Sequence, residues 1–260
     1  MIGDNVLSGE PFRGVDIFDI HAHIHQTSDF QMLDTTPDDV VKTMDALGIS
    51  GACVSSITSI HSDCRLGNEL MLDAVKRHSG RLYGYVVVSP HDTDVDLSRY
   101  FEYPGILGLK VHAAFHRTTI DDPGYIPFWE FADGRSLPVL FHAWEAADSV
   151  CIAKLAERYR CAKFIIGHGA VRIKEVRREA VNAVRRFENV WADTTISLSP
   201  DGTIEDAAAK LGADRLCYGS DIPFYDCRHV LGKVATSRLS DAEKEKILGQ
   251  NARRILFQNE

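Results

Sequence analysis

The sequence lacks the features that mark a disulfide scaffold, a secreted protein or a membrane protein. Its six cysteines form no C-x-x-C pair, which argues against a zinc ribbon or a redox pair and favours a reduced protein. No apolar run approaches the roughly 20 residues of a membrane-spanning helix. The first residues, MIGDNVLSGE, lack the basic and then apolar segments of a secretory signal. We therefore expect a cytoplasmic protein with no membrane partner.

Basic residues are in deficit, with 29 lysines and arginines against 37 aspartates and glutamates and a formal net charge of −8. Such a balance argues against a nucleic-acid partner, whose phosphates attract a basic surface. Low-complexity segments, linkers and shifts in composition are also missing. We therefore expect one globular domain over residues 1–260, a length that suits a single α/β barrel.

Short apolar runs rich in β-branched residues alternate with longer helical stretches along the chain. The runs are short and almost continuously apolar, as expected of parallel strands that are covered on both faces. Strands that alternate with helices predict βα units, and eight of them favour a single (β/α)8 barrel over an open sheet. The predicted strands are Val15–Ile20, Gly51–Ile57, Leu82–Val88, Ile106–Val111, Leu137–Phe141, Lys163–Ile166, Asn189–Ala192 and Arg215–Tyr218.

Capping signals and helical periodicity predict the intervening helices. Thr36 supplies a capping hydroxyl before Pro37 and two acids, and Ser240 resembles the start of a capping box before a last helix that ends near Leu256. Apolar residues at helical spacing mark further helices at Leu66–His78, Ser149–Tyr159 and Val171–Phe187. The basic residues of the last stretch are typical of a solvated outer face.

Histidines and one aspartate gather at the carboxyl ends of the predicted strands. His21 and His23 are two residues apart, so an extended backbone directs both side chains to one face. Barrel enzymes carry their chemistry at this rim, and imidazole and carboxylate groups together suit zinc and similar divalent ions. The residues at the rim are His21, His23, His112, His142, His168 and Asp221.

Taken in order, these motifs resemble the amidohydrolase superfamily, and the sequence is similar to its amidohydrolase-2 (Amidohydro_2) branch. The resemblance rests on D-x-H-x-H at Asp19–His23, the histidine after the fifth strand, the Gly-His pair at residues 167–168, G-S-D-x-P at Gly219–Pro223 and the closing N-A-x-R-x-L-F at Asn251–Phe257. That branch contains metal-dependent hydrolases and zinc or manganese decarboxylases built on one barrel. The resemblance implies a metal site at the carboxyl ends of the strands.

The resemblance also implies roles for individual residues. It makes His168 a general base or a group that polarises substrate or water, and it implies one divalent ion, zinc or alternatively manganese. The ligands of that ion would be His21, His23, His142 and Asp221, with Asp221 also available to move a proton.

Four further residues are open to more than one interpretation. Lys110 either pairs with a substrate carboxylate, bridges two metals as a carbamate, or only forms hydrogen bonds. His112 and Trp144 either contact substrate or serve as structural residues. Asp193 ends the seventh strand, where it can accept a proton or a hydrogen bond.

The expected function is metal-dependent hydrolysis of a small carbonyl compound, such as an amide, lactone or ester, because a metal site can generate hydroxide at neutral pH. The alternative is non-oxidative decarboxylation of a small aromatic or enoic acid. A TatD-type deoxyribonuclease and a metal-binding barrel without turnover are less favoured. The expected partner is a small-molecule substrate, and self-association into a homo-oligomer is left open.

Overall fold

Eight parallel strands form one sheet in chain order, as the sequence predicts. The computed structural model describes residues 1–27, 31–92, 94–168, 174–195 and 200–257. The strands are β1 (Phe18–Ile24), β2 (Gly51–Ser56), β3 (Leu82–Val87), β4 (Ile106–Val111), β5 (Pro138–Ala143), β6 (Lys163–His168), β7 (Val190–Asp193) and β8 (Leu216–Cys217).

Backbone hydrogen bonds close this sheet into a barrel between β1 and the segment that begins with β8. The Ile20 N–H donates to the Tyr218 carbonyl at 2.9 Å, and the Asp221 N–H donates to the His21 carbonyl at 2.8 Å. The Asp19 carboxylate spans the same seam, accepting from the N–H groups of His21 and Ser220. The fold is therefore the expected (β/α)8 barrel.

Helices connect the strands and cover the outside of the barrel. They are α1 (Asp4–Ser8), α2 (Pro37–Leu47), α3 (Ile57–His61), α4 (Cys64–Arg77), α5 (Leu97–Tyr100), α6 (Ile126–Gly134), α7 (Ala146–Arg158), α8 (Lys174–Val184), α9 (Thr203–Leu211), α10 (Cys227–Thr236), α11 (Asp241–Glu245) and α12 (Asn251–Phe257). Within the described ranges, no helix is both long and apolar enough to cross a membrane.

The capping predictions are confirmed at both helix starts. Thr36 and Asp39 form a complete capping box at α2, and Ser240 and Glu243 form another at α11. The last helical stretch differs from one uninterrupted α-helix, because a π-helical turn at Lys246–Gln250 separates α11 from α12. The start of the predicted helix Val171–Phe187 lies outside the described residues, and α8 accounts for its middle.

Strand boundaries differ from the prediction where the functional residues lie. β1 begins at Phe18 and continues to Ile24, so His21 and His23 lie within the strand rather than after it. β5 and β6 likewise extend through the pairs His142–Gly167 and Ala143–His168. The histidines near the ends of these strands are polar and face a polar site. The apolar pattern in the sequence therefore ends before the backbone hydrogen bonds between the strands do.

An apolar cluster fills the barrel interior and forms the floor beneath the polar rim. Its members, all almost fully buried, include Phe18, Ile20, Tyr85, Leu140 and Ile165. A larger cluster packs between the strands and the outer helices. The polar residues of the rim therefore stand on a rigid apolar support, which holds them in place.

Candidate metal centre and active site

His21, His23 and Asp221 bring three metal-binding groups together at the carboxyl ends of the strands. One ligand atom from each lies within 4.8 Å of the others, and all three residues are buried. Asp221 Oδ1 is 3.1 Å from His23 Nε2 and 3.5 Å from His21 Nε2. Two imidazoles and a carboxylate are donors that zinc and other divalent ions accept. This donor set fits a single divalent metal ion.

The outer nitrogen of each ligand histidine is already engaged. His21 Nδ1 lies 2.6 Å from Asp193 Oδ2, and His23 Nδ1 lies 2.9 Å from Ser55 Oγ. Such contacts fix the orientation of an imidazole and direct its other nitrogen toward a metal. Because Nε2 of both rings faces Asp221, the chain orients these side chains as a metal site requires.

The backbone is strained at two of the predicted site residues. Asp221 and His168 have φ angles of 61° and 67°, in the left-handed region that residues other than glycine rarely adopt. Strain of this kind is costly and concentrates at functional sites, where surrounding contacts hold it. It directs both side chains inward from the ends of their strands.

His142 and His168 form a second imidazole pair next to the metal donors. His168 Nε2 lies 3.1 Å from His142 Nδ1, and the ring of His168 lies 5.0 Å from that of His21. His142 is outside the compact three-residue cluster, and its role as a fourth ligand stays a prediction. His168 Nδ1 is buried and has no hydrogen-bond partner among the described residues, which leaves a polar atom for another group to satisfy.

Lys110 lies within the metal centre. It is fully buried, and its Nζ lies within hydrogen-bond distance of His21 Nε2, at 2.8 Å. Burial lowers the pKa of Lys110 to about 8 and raises the pKa of Asp221 to about 8, while attraction between the two groups opposes both shifts. The sequence leaves the role of Lys110 in the fourth strand open, and the structure brings this residue to the same nitrogen that would bind a metal.

Burial keeps the histidines of this site neutral. Loss of solvation, together with the nearby Lys110, lowers the pKa of His21 and that of His23 well below the ordinary value. Burial and His142 likewise lower the pKa of His168. Neutral imidazole is the form that binds metals, so the electrostatics of the pocket agree with the geometry.

A cavity of about 280 Å³ opens beside the three donors and is lined by two of them, His23 and Asp221. Its walls are mostly flat rings. The ring centroids of His112 and His142 are 3.9 Å apart in a stacked pair, and the Trp144 ring is nearly parallel to His142 with a centroid distance of 5.9 Å. The lining residues are His23, Gln31, Met32, Ile60, His61, His112, Phe115, His142, Trp144, His168, Asp221, Phe224 and Tyr225. The structure thus places His112 and Trp144 in the cavity wall, as their predicted contact with substrate requires.

The sequence predictions do not include several residues that line the cavity, because these residues lie outside the strand ends. Ile60 and His61 come from α3, Phe115 follows β4, and Phe224 and Tyr225 follow β8. Loop and helix residues of this kind carry no periodic signal. Ser55 is different, because it pairs directly with His23 in the β1–β2 register and that alignment points to it.

A comparison with protein families identifies the chain. The family model Amidohydro_2, described as amidohydrolase, matches residues 18–258. This protein belongs to the Amidohydro_2 family of amidohydrolases. The match covers every strand of the barrel and every residue of the metal centre, so the family resemblance inferred from the sequence is confirmed.

Relatives of this amidohydrolase include both decarboxylases and a hydrolase. Gamma-resorcylate decarboxylase from Polaromonas sp. (strain JS666 / ATCC BAA-500) is 20% identical in an alignment that covers 84% of each chain. The solved structure of dihydroxybenzoic acid decarboxylase from Polaromonas sp. JS666, with bound manganese and the inhibitor 2-nitroresorcinol, is 18% identical. Its TM-score is 0.76, with 95% of this chain and 98% of that chain covered.

A hydrolase structure is similar to nearly the same extent. The probable 2-pyrone-4,6-dicarboxylic acid hydrolase from Acinetobacter baumannii, with citric acid bound, is 17% identical with a TM-score of 0.71. The alignment covers 92% of this chain and 98% of that chain. At these identities the similarity to solved structures is one of fold, and both reaction types occur on this barrel.

Proposed function

We propose that this amidohydrolase is a metal-dependent, non-oxidative decarboxylase of a small aromatic or enoic acid. The observation that carries the proposal is a small cavity, walled by flat rings, that opens directly onto His23 and Asp221, two of the three metal donors. The relatives that act on resorcylate and dihydroxybenzoate support it. Hydrolysis, which the sequence favoured, therefore becomes the second candidate.

The cavity limits the size of the substrate. Its 280 Å³ lies just below the roughly 300–1,000 Å³ found for ligand sites, which suits one ring with small substituents. We therefore expect a small substrate that directs one carboxylate at the metal centre.

The proposed metal ligands are His21, His23 and Asp221, with His142 as the predicted fourth. A divalent ion held there would supply positive charge for the substrate's carboxylate or phenolate oxygens. Zinc was the first expectation, and the manganese bound in the similar decarboxylase makes manganese an equal candidate.

The remaining chemistry falls to side chains of this chain. In decarboxylation the bond between the ring and the carboxylate breaks, carbon dioxide leaves, and a proton takes its place on the carbon. His168 and Asp221 are the groups placed to hold and deliver that proton, because both face the cavity from strained backbone positions. The flat rings of His112 and Trp144, which line the cavity wall, would orient a planar substrate by stacking against it.

The test is a set of hydroxylated benzoates incubated with protein loaded with zinc or manganese. We expect release of carbon dioxide with an equal amount of phenol, and one deuterium at the former carboxylate carbon when the reaction runs in deuterium oxide. His168→Ala should lower the rate by about 10²–10⁴-fold. His229→Ala, which changes an exposed histidine on α10, is the matched control and should leave the rate unchanged.

Hydrolysis of a small carbonyl compound is favoured by one observation, the similarity to the probable 2-pyrone-4,6-dicarboxylic acid hydrolase. A divalent ion would activate water in that reaction. Lactones, amides and esters in oxygen-18 water decide between the two functions. Label in the product carboxylate, without release of carbon dioxide from any benzoate, would contradict the decarboxylase proposal.

A further inference from the structure

We infer that Asp193 is a positioning residue that holds a metal ligand and the proposed proton-transfer histidine in place together. Asp193 is the last residue of β7 and is fully buried. One carboxylate oxygen, Oδ2, contacts His21 Nδ1 at 2.6 Å. The other, Oδ1, accepts from the backbone N–H of His168 at 3.0 Å and of Thr195 at 3.1 Å.

The two backbone donors fix which way the carboxylate faces. The N–H groups of His168 and Thr195 both point to Oδ1, so an acceptor must occupy that position. The first of these contacts holds the backbone of His168, whose φ of 67° is unfavourable for a histidine. Asp193 thereby stabilises the backbone that carries the His168 ring into the cavity.

The other oxygen fixes the proton on His21. A carboxylate at Nδ1 accepts a hydrogen bond, so the ring carries its proton on Nδ1. This contact selects the tautomer whose Nε2 lone pair is free for a metal.

Replacement of Asp193 by asparagine reverses this arrangement while keeping the side-chain shape. The amide oxygen must stay with the two backbone donors, so the NH₂ group faces His21 Nδ1. A donor at that position favours a proton on Nε2, the nitrogen that faces Asp221 and would bind the metal. The inference goes beyond the proposed reaction, because it concerns metal binding and ring tautomer whichever reaction occurs.

The experiment measures metal affinity and ring tautomer in Asp193→Asn. We expect zinc and manganese to bind about 10–100-fold more weakly than in the wild type, by titration against a competing chelator. In the metal-free variant, nitrogen-15 NMR of labelled histidine should show the His21 proton on Nε2 rather than on Nδ1. Circular dichroism confirms that the variant folds, and the tautomer change separates orientation from general damage.

Asp133→Asn is the matched control. Asp133 also accepts hydrogen bonds from two backbone N–H groups, but these belong to Cys161 and Ala162, which precede β6 at the amino end of the barrel and lie away from the metal centre. We expect its metal affinity to stay within about threefold of the wild type, well inside the 10–100-fold loss expected for an orienting partner.

Three results would overturn the inference. Asp193→Asn with wild-type affinity and an unchanged tautomer is the first, and an equal loss of metal in Asp133→Asn is the second. The third, which needs no variant to fold, is a proton on His21 Nε2 in the metal-free wild type. None of these readouts depends on turnover, so a failure of the decarboxylase proposal would leave them unaffected.

Discussion

At the scale of single residues, the site is organised by the outer contacts of its histidines. A buried polar group needs a partner, and the partner chosen decides which nitrogen of an imidazole faces inward. His21 is oriented by a carboxylate and His23 by a hydroxyl. A hydrogen bond to a charged group is about twice as strong as one between neutral groups, so the two ligands differ in how firmly they are held.

This difference predicts a graded response to removal of Ser55. Ser55→Ala leaves His23 Nδ1 without its partner, and we expect metal affinity to fall, but by less than in Asp193→Asn, because the lost hydrogen bond is a neutral one. Chelator competition measures both. Ser59→Ala, which removes a buried hydroxyl bonded to the Ser56 carbonyl, is the control and should keep wild-type affinity. A larger loss in Ser55→Ala than in Asp193→Asn would contradict this ranking.

At the scale of elements, close approach of neighbouring strands brings the ligands together. Gly219 follows β8 in a position where an added Cβ would lie 2.5 Å from Thr195 Oγ1 and 2.9 Å from the Cβ of His21. Gly167 in β6 lies equally close to the His21 ring, where a Cβ would be 3.0 Å from Cε1. These glycines allow three strands to converge on one imidazole.

Gly219→Ala should therefore damage both the fold and the site. Overpacking of this kind costs about 1–3 kcal/mol of unfolding free energy, and displacement of His21 should weaken metal binding at the same time. Urea unfolding and metal titration measure the two effects. Gly134→Ala at the end of α6, where a Cβ meets open space, is the control and should leave both quantities nearly unchanged. Wild-type metal affinity in Gly219→Ala would show that His21 does not depend on this approach.

At the scale of the whole molecule, the metal centre spans the barrel seam. His21 and His23 lie in the first strand, and Asp221 follows the last. A ligand that binds only the folded protein stabilises it by an amount that rises with the logarithm of the ligand concentration, so an ion bound by both ends of the sheet couples closure of the barrel to metal binding.

Metal should therefore raise the melting temperature of the whole protein. At a free metal concentration 100 times the dissociation constant, the expected gain is about 2.7 kcal/mol, or roughly 5–10 °C for a chain of this size. Differential scanning calorimetry with and without zinc or manganese measures it. The double variant His21→Ala with His23→Ala should lose the gain, whereas His229→Ala should keep it. Elemental analysis should find one ion per chain, and two ions would favour a carbamylated Lys110 that bridges them.

Much of the site could be predicted from residues that are close in sequence. The spacing of His21 and His23 places both rings on one face of a strand, and the eight apolar runs with their helices predict the barrel. His168 and Asp221 follow as residues at strand ends, where this fold carries its chemistry. These inferences succeed because side-chain alternation and helix capping depend on neighbours along the chain.

Only the tertiary structure decided how these residues meet. Asp193 and His21 are 172 residues apart, and Lys110 and His21 are 89 apart, so their contacts exist only because the strands curl and close into a barrel. The same holds for the cavity walls from α3 and from the segments after β4 and β8, whose residues show no pattern of their own. The sequence by itself determined the barrel and the kinds of metal-binding group at its rim, because periodicity is a local property. Barrel closure decided which nitrogen of His21 faces Asp221 and which rings line the cavity, because both depend on distances between strands that are far apart in the chain.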